Sequence, residues 1–251
     1  MRLVADLHTH TIASGHAYST IKEIAEAAQQ KGLELVAITD HGPNEPGAPH
    51  WYYFDNLPVV PKRIAGVEVL KGVEANIIGW EGELDLDLET LSRLDLVAAG
   101  FHTRETGSVE ENTHTMIKAM AGGLVDIIVH PGNPRFAIDP VRVVEAAQKY
   151  GVVLEINNSS LTAGSFRRGS RGNCLKIARL AAEAGIMVVV GSDAHWAEDV
   201  GEFGLALELL LEAGVKPEQV LNTSVEKIKS YLEKRGQLRR QALADVEKGQ
   251  A

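Results

Sequence analysis

Asp6, His8 and His10 open the chain as an Asp-x-His-x-His run, and His16, His41, Glu74, His102, His130, Asp193 and His195 follow along its whole length. Most of them sit in or just after a short apolar segment. Residues 36–39 lead into Asp40-His41, residues 97–101 into His102, residues 127–129 into His130 and residues 188–192 into Asp193-Ala194-His195. A lone histidine is more often a surface or hydrogen-bonded core residue than a ligand, but one context repeated this often points to a metal enzyme. In extended chain, side chains two apart share a face, so one cation can take both His8 and His10, and Asp193 and His195 repeat that spacing. Glu74 has two carboxylate oxygens and can bridge two metals, whereas a neutral imidazole offers one lone pair. Seven imidazoles and two carboxylates exceed the shell of one four-coordinate ion, so two or three metals are expected.

Nitrogen-rich ligation without thiolate suits Zn first, then Mn or Fe, and disfavours Mg and Ca. Metals spaced about 3.5–4 Å apart generate hydroxide near neutral pH and hold the oxygens of a displaced phosphoryl group, so a metal-activated hydroxide is the expected nucleophile. Asp6 and Asp40 precede ligands and either orient imidazole N–H groups from behind or serve as plain structural caps. Residues 157–171 carry Arg167 and Arg168, whose planar forks suit bidentate phosphate contacts, although solvated loop arginines are the ordinary alternative. Arg135 is a weaker candidate of the same kind. His50 and His114 lack the strand-end context and are left out of the site.

Seven Val/Ile/Leu-rich segments read as strands, at residues 3–7, 35–39, 67–74, 95–99, 126–129, 152–156 and 187–191. Helical patterns lie between them at 20–31, 109–121, 140–150 and 173–184, several followed by glycine (Gly32, Gly122, Gly151, Gly185). Near-continuous apolarity in the strands implies burial on both faces, and the alternation of strand and helix implies a parallel sheet covered by helices. Neither a Gly-x-Gly-x-x-Gly turn nor a P-loop follows the first strand. The ligand-type residues follow the C-terminal ends of the strands, which converge on one face of a closed parallel barrel. Residues 42–66, rich in proline and containing Trp51-Tyr52-Tyr53-Phe54, are too long for an ordinary connection and form either a lid or a packed excursion. Residues 203–213, 217–221 and 224–234 read as closing helices, and 239–251 as a charged, frayed tail, so the catalytic domain is taken as 1–238.

With 251 residues and 45% hydrophobic content the chain can form one sizeable domain. A formal charge of -9 argues against sequence-independent duplex binding, so no nucleic-acid partner is expected. A single cysteine, Cys174, cannot form an intramolecular disulfide, and no apolar run is long enough for a membrane span or export signal, which makes the cytoplasm the expected location.

The opening Asp-x-His-x-His with His16 behind it, Thr39-Asp40-His41, Gly72-Val73-Glu74, Gly100-Phe101-His102, His130-Pro131 and Gly191-Ser192-Asp193-Ala194-His195 together resemble the PHP (polymerase and histidinol phosphatase) family, in particular its YcdX-like stand-alone phosphatase branch. The resemblance covers nearly the whole chain and fills every ligand position. It implies a distorted α/β barrel of the TIM-like (β/α)7 type with three divalent metals per chain. His8, His10, Glu74 and Asp193 would hold one, Glu74, His102 and His130 a second, and His16, His41 and His195 a third. It also implies release of phosphate from small monoesters and, for some members, a homotrimer.

Competing readings are a dedicated histidinol-phosphate phosphatase and an amidohydrolase acting on a C–N or lactone bond, which shares the His-x-His start but usually needs a bridging lysine that no strand here ends in. A proofreading exonuclease module would want a polymerase partner and a basic track, and neither is present. A metal-dependent structural protein would use closed four-ligand shells rather than histidines at an open barrel mouth.

Overall fold

In the computed structural model, which describes residues 1–249, all seven expected strands form. They are β1 (Ala5–Asp6), β2 (Leu35–Ile38), β4 (Val67–Asn76), β5 (Leu96–Gly100), β6 (Ile127–Ile128), β7 (Val153–Asn157) and β8 (Val188–Gly191), paired in parallel in the order β1-β2-β4-β5-β6-β7-β8. An eighth, β3 (Arg63–Ile64), adds an antiparallel hairpin to β4 through a two-residue turn at Ala65 and Gly66, both with positive φ as such turns require. The helices α1 (Ile21–Gln30), α2 (Tyr52–Asn56), α3 (Leu88–Arg93), α4 (Val109–Ala121), α5 (Pro140–Tyr150), α6 (Ser170–Ala184) and α7 (Gly204–Ala213) lie between and after the strands, and α8 (Val225–Gly249) ends the described chain. Capping boxes start α1 (Thr20 with Glu23) and α4 (Ser108 with Glu111), and left-handed Gly151 and Gly185 close α5 and α6. No helix among the described residues is long and apolar enough to cross a membrane.

Strand alternation divides the core into two shells. Leu35, Ala37, Leu96, Ala98, Ile127, Val153 and Val189 fill the barrel interior, while Val36, Ile38, Val97, Ala99, Leu154, Ile156, Val188 and Val190 face the helices. Both faces are therefore dry, which explains the uninterrupted apolarity of the strands. Ile228 and Leu232 of α8 join the interior shell, so this helix lies against the barrel.

The barrel is nearly closed, and its seam between β8 and β1 is sealed in two ways. Thr9 and Ala194 make an isolated parallel bridge. Near the opposite end Asn222 substitutes for a strand: its side-chain amide donates to the carbonyls of Ala5 (2.9 Å) and Val190 (2.8 Å), its side-chain oxygen accepts Val190 N–H (3.2 Å), and its own carbonyl accepts Val4 N–H (3.0 Å). Asn222→Ala would leave buried backbone groups unpaired and is expected to lower the unfolding free energy by about 2–3 kcal/mol. Equilibrium denaturation checks this, and a loss below about 0.5 kcal/mol would show that the seam does not depend on this side chain.

One feature takes one of its two expected forms, and two differ from the sequence expectations. The 42–66 stretch packs as an excursion: Phe54 and Leu57 are buried in the core and the Tyr53 hydroxyl donates to Asp40 at 2.6 Å. The expected helix at 217–221 is two short 3-10 turns, Pro217–Gln219 and Leu221–Thr223. The frayed tail expected from residue 239 is instead the continuation of α8 as far as Gly249. Arg239 is fully buried there, donating to Asp126 and to Leu94 O (3.1 Å), while Arg235 donates to Asp126 (3.3 Å) and Tyr150 O (3.0 Å). Charge that looked solvated in sequence is spent on a buried carboxylate and carbonyl ends beneath the barrel.

Candidate metal centre

Glu74, near the end of β4, is the hub of the site. Its Oε1 lies 2.7 Å from His130 Nε2 and 2.8 Å from His102 Nε2. Its Oε2 lies 2.8 Å from His41 Nδ1, 3.3 Å from His10 Nε2 and 3.4 Å from His8 Nε2. Asp193 Oδ1 adds contacts of 3.3 Å to His10 and 3.5 Å to His8. His16 joins at the rim, its ring 4.9 Å from that of His41 and 5.0 Å from that of His195. All nine expected residues thus meet at the C-terminal ends of the strands. His50 and His114 are exposed and lie outside the cluster, His114 pairing with Glu81 instead.

The outer nitrogens set what the inner ones can do. His8 Nδ1–H donates to Glu155 Oε1 (2.7 Å), His10 Nδ1–H to Ser14 Oγ (3.2 Å), His102 Nδ1–H to Asn76 Oδ1 (2.7 Å) and His195 Nδ1–H to the Asp193 carbonyl (3.0 Å). With the proton committed outward, each Nε2 turns a lone pair toward the others: His8 and His10 meet at 3.1 Å, His102 and His130 at 3.2 Å. Buried acceptors facing acceptors repel unless a cation lies among them. His41 Nδ1, Glu74 Oε2 and Asp193 Oδ1 are buried and find no hydrogen-bond donor. Donor atoms close enough for a shared ion form three groups, His8/His10/Asp193, His10/His41/His195 and His41/Glu74/His102. The residues therefore fit a cluster of divalent metals.

The same contacts drive the protonation of the site. Burial pulls His8 down, but Glu155, Glu74 and Asp193 outweigh it and hold the imidazole well above its ordinary value, so the site favours positive charge at Nε2, supplied by a proton or by a metal that takes its place. Burial, with Arg167 beside it, lowers His130 to about 4. Burial alone would raise Glu74 and Asp193; the surrounding histidines, and Arg167 at Asp193, instead hold both well below the carboxylate range. His130 (φ 34°) and Asp193 (φ 58°) occupy left-handed backbone that non-glycine residues avoid, strain of the kind kept at functional sites.

Asp6 and Asp40 touch no imidazole. Asp6 accepts the backbone N–H groups of His8, Ser192 and Gly201, and burial pushes its carboxyl up to about 6. Asp40 accepts from Thr11, Ser14 and Tyr53, and reaches His10 only through Ser14 Oγ. Arg167 donates to Asp193 Oδ2 at 2.7 Å and so stands at the cluster; Arg168 and Arg135 are exposed. Cys174 is buried with its thiol pushed up to about 12, which removes it as a nucleophile. Sequence reasoning missed Ser14, Asn76, Asn157 and Glu155. Glu155 had a signal: a carboxylate in the middle of the apolar run 152–156.

The PHP domain pattern matches residues 6–129 and the PHP-associated pattern residues 172–209. A protein of Caldanaerobacter subterraneus subsp. tengcongensis described as a probable phosphatase is 54% identical over 94% of this chain and 93% of its own length. The chain belongs to the PHP family. A probable phosphatase of Proteus mirabilis is 45% identical over 92% of this PHP chain and 94% of its own. Among solved structures, histidinol phosphate phosphatase from Lactococcus lactis, crystallised with zinc, L-histidinol and phosphate, matches 84% of this chain and 94% of its own. Its TM-score is 0.56 at 14% identity, a likeness of fold.

Proposed function

We propose that this chain is a metal-dependent phosphatase that hydrolyses small phosphate monoesters with water, releasing an alcohol and inorganic phosphate. The observation that carries the reading is the acceptor-lined cluster around Glu74, in which buried imidazole lone pairs converge with two carboxylate oxygens, Glu74 Oε2 and Asp193 Oδ1, that find no donor. The assignment to phosphate chemistry is supported by the relatives described as probable phosphatases. His8, His10, Glu74 and Asp193 would hold one metal, Glu74, His102 and His130 a second, and His16, His41 and His195 a third. Zinc is the first choice, for which the zinc in the Lactococcus lactis structure is supporting. Such metals supply an acidified water as nucleophile and positive charge against phosphoryl oxygens.

The chain's own residues do the rest. The Nδ1–H bonds of His8, His10, His102 and His195 hold the rings with Nε2 turned inward, so no side chain has to reorient when the site is charged. Arg167 spends one nitrogen on Asp193, and the other donors of its fork would be available to a phosphoryl oxygen. Arg168, exposed on the same loop, offers a second contact to the ester.

The test is metal analysis of the purified protein together with p-nitrophenyl phosphate turnover before chelation, after it, and after metal return. Two to three transition metals per chain, with turnover that disappears and returns with them, is the expected result. Full turnover after complete metal removal would overturn the reading.

A further inference from the structure

Glu155 sits beneath the cluster and is not among the expected ligands. Within β7 the phase of the strand turns Val153 into the barrel interior and Leu154 and Ile156 toward the helices, so Glu155 projects inward one step above Val153. It is 1% exposed. No lysine or arginine pairs with it among the described residues; its ion-pair contact is His8. Three donors converge on it instead: His8 Nδ1–H on Oε1 at 2.7 Å, and the His130 backbone N–H (2.8 Å) and Asn157 Nδ2 (3.1 Å) on Oε2. Asn157 Nδ2 also reaches Asp193 Oδ2 at 3.2 Å, so one small network joins the ends of β1, β6, β7 and β8.

The backbone around it is shaped to admit this carboxylate. A Cβ on Gly191 would stand 2.0 Å from Glu155 Oε1 and 2.8 Å from His8 Cβ, so only glycine lets the two side chains meet there. His130, whose amide Glu155 accepts, is one of the non-glycine residues with positive φ, and the hydrogen bond helps hold that conformation. A buried carboxylate without a direct arginine or lysine partner is costly unless its donors and nearby cations stabilise it; Arg167 acts on Glu155 from beyond hydrogen-bond reach, and a metal held at His8 Nε2 would act on it across the His8 ring.

We propose that Glu155 is a positioning residue of the metal centre, which keeps the His8 proton on Nδ1 and, through the His130 amide, ties together two ligands from different strands. His8 and His130 belong to different metals in the proposed arrangement, so Glu155 fixes the spacing between those metals as well as the orientation of one ring. Its negative charge also raises the basicity of His8 toward a cation at Nε2. The inference rests on the metal-dependent reading above, but it is read out without turnover.

The experiment uses zinc-loaded, 15N-histidine-labelled protein. Long-range proton–nitrogen NMR should show His8 protonated at Nδ1, with a downfield, exchange-protected proton, and bonded to zinc through Nε2. Competition titration with a chromophoric chelator should show that Glu155→Gln, whose single carbonyl oxygen cannot accept from His8 on one side and from His130 and Asn157 on the other, binds zinc about 10–100-fold more weakly. Gly191→Ala, which retains the carboxylate but displaces it, should weaken zinc in the same way. A His8 ring that binds zinc through Nδ1 in the unaltered protein overturns the proposal, and that measurement needs no variant to fold. Wild-type zinc affinity in folded Glu155→Gln overturns it too. Failure of the phosphatase reading would be seen separately, as a zinc-loaded protein of the expected His8 form that cleaves no ester.

Discussion

Glu74→Gln is expected to lower kcat/KM for a phosphate monoester by at least about 1,000-fold, a loss of about 4 kcal/mol in transition-state stabilisation. The substitution keeps the shape of the side chain but exchanges a carboxylate oxygen for an NH2 group. Whichever way the amide turns, two N–H donors point at ring nitrogens less than 3.5 Å away, and a bridging charge is gone. No other residue contacts so many of the candidate ligands, so the loss falls on the whole cluster. Steady-state kinetics, zinc per chain and far-ultraviolet circular dichroism should be measured together. Unchanged dichroism with little zinc and little turnover is the expected pattern; a variant with full zinc and more than a tenth of the activity would remove Glu74 from its central role.

Arg239→Met is expected to cost about 3–5 kcal/mol of stability without touching the site, because it leaves Asp126 as a buried carboxylate that has lost a partner. Burial already raises the Asp126 pKa although Arg239 and Arg235 oppose it. Loss of Arg239 raises it further. A carboxyl whose folded pKa lies above its unfolded value favours the fold while protonated and loses that contribution as pH rises through the folded value. The deficit of the variant relative to the parent should therefore be smaller near pH 4 than at pH 7. Urea denaturation of the two proteins at both pH values checks it, and a deficit that grows toward acid pH would contradict the assigned pairing.

The elements that carry the site were legible because their pattern is local. Residues 35–38 and 188–191 are apolar throughout since both faces of a parallel strand are covered, and Thr20 with Glu23 marks the start of α1 within a few residues of chain. The short helix α3 was illegible for an equally local reason. Leu84-Asp85-Leu86-Asp87-Leu88 alternates with period two up to the cap, and only six helical residues follow. Arg239 was misread because its partner, Asp126, lies 113 residues away along the chain, and no local pattern distinguishes a buried arginine from a solvated one.

By itself, the sequence determined the barrel class and the nine residues that gather at its mouth, since strand ends of a parallel barrel must converge wherever the strands are placed. The direction of each imidazole was a different matter. That Asp40 acts on His10 through Ser14, that Asn222 seals the seam, and that Glu155 lies behind His8 were decided only by the tertiary structure. These depend on which atoms of distant segments come within 3 Å in a dry interior, where a single misplaced donor or acceptor has no water to replace it.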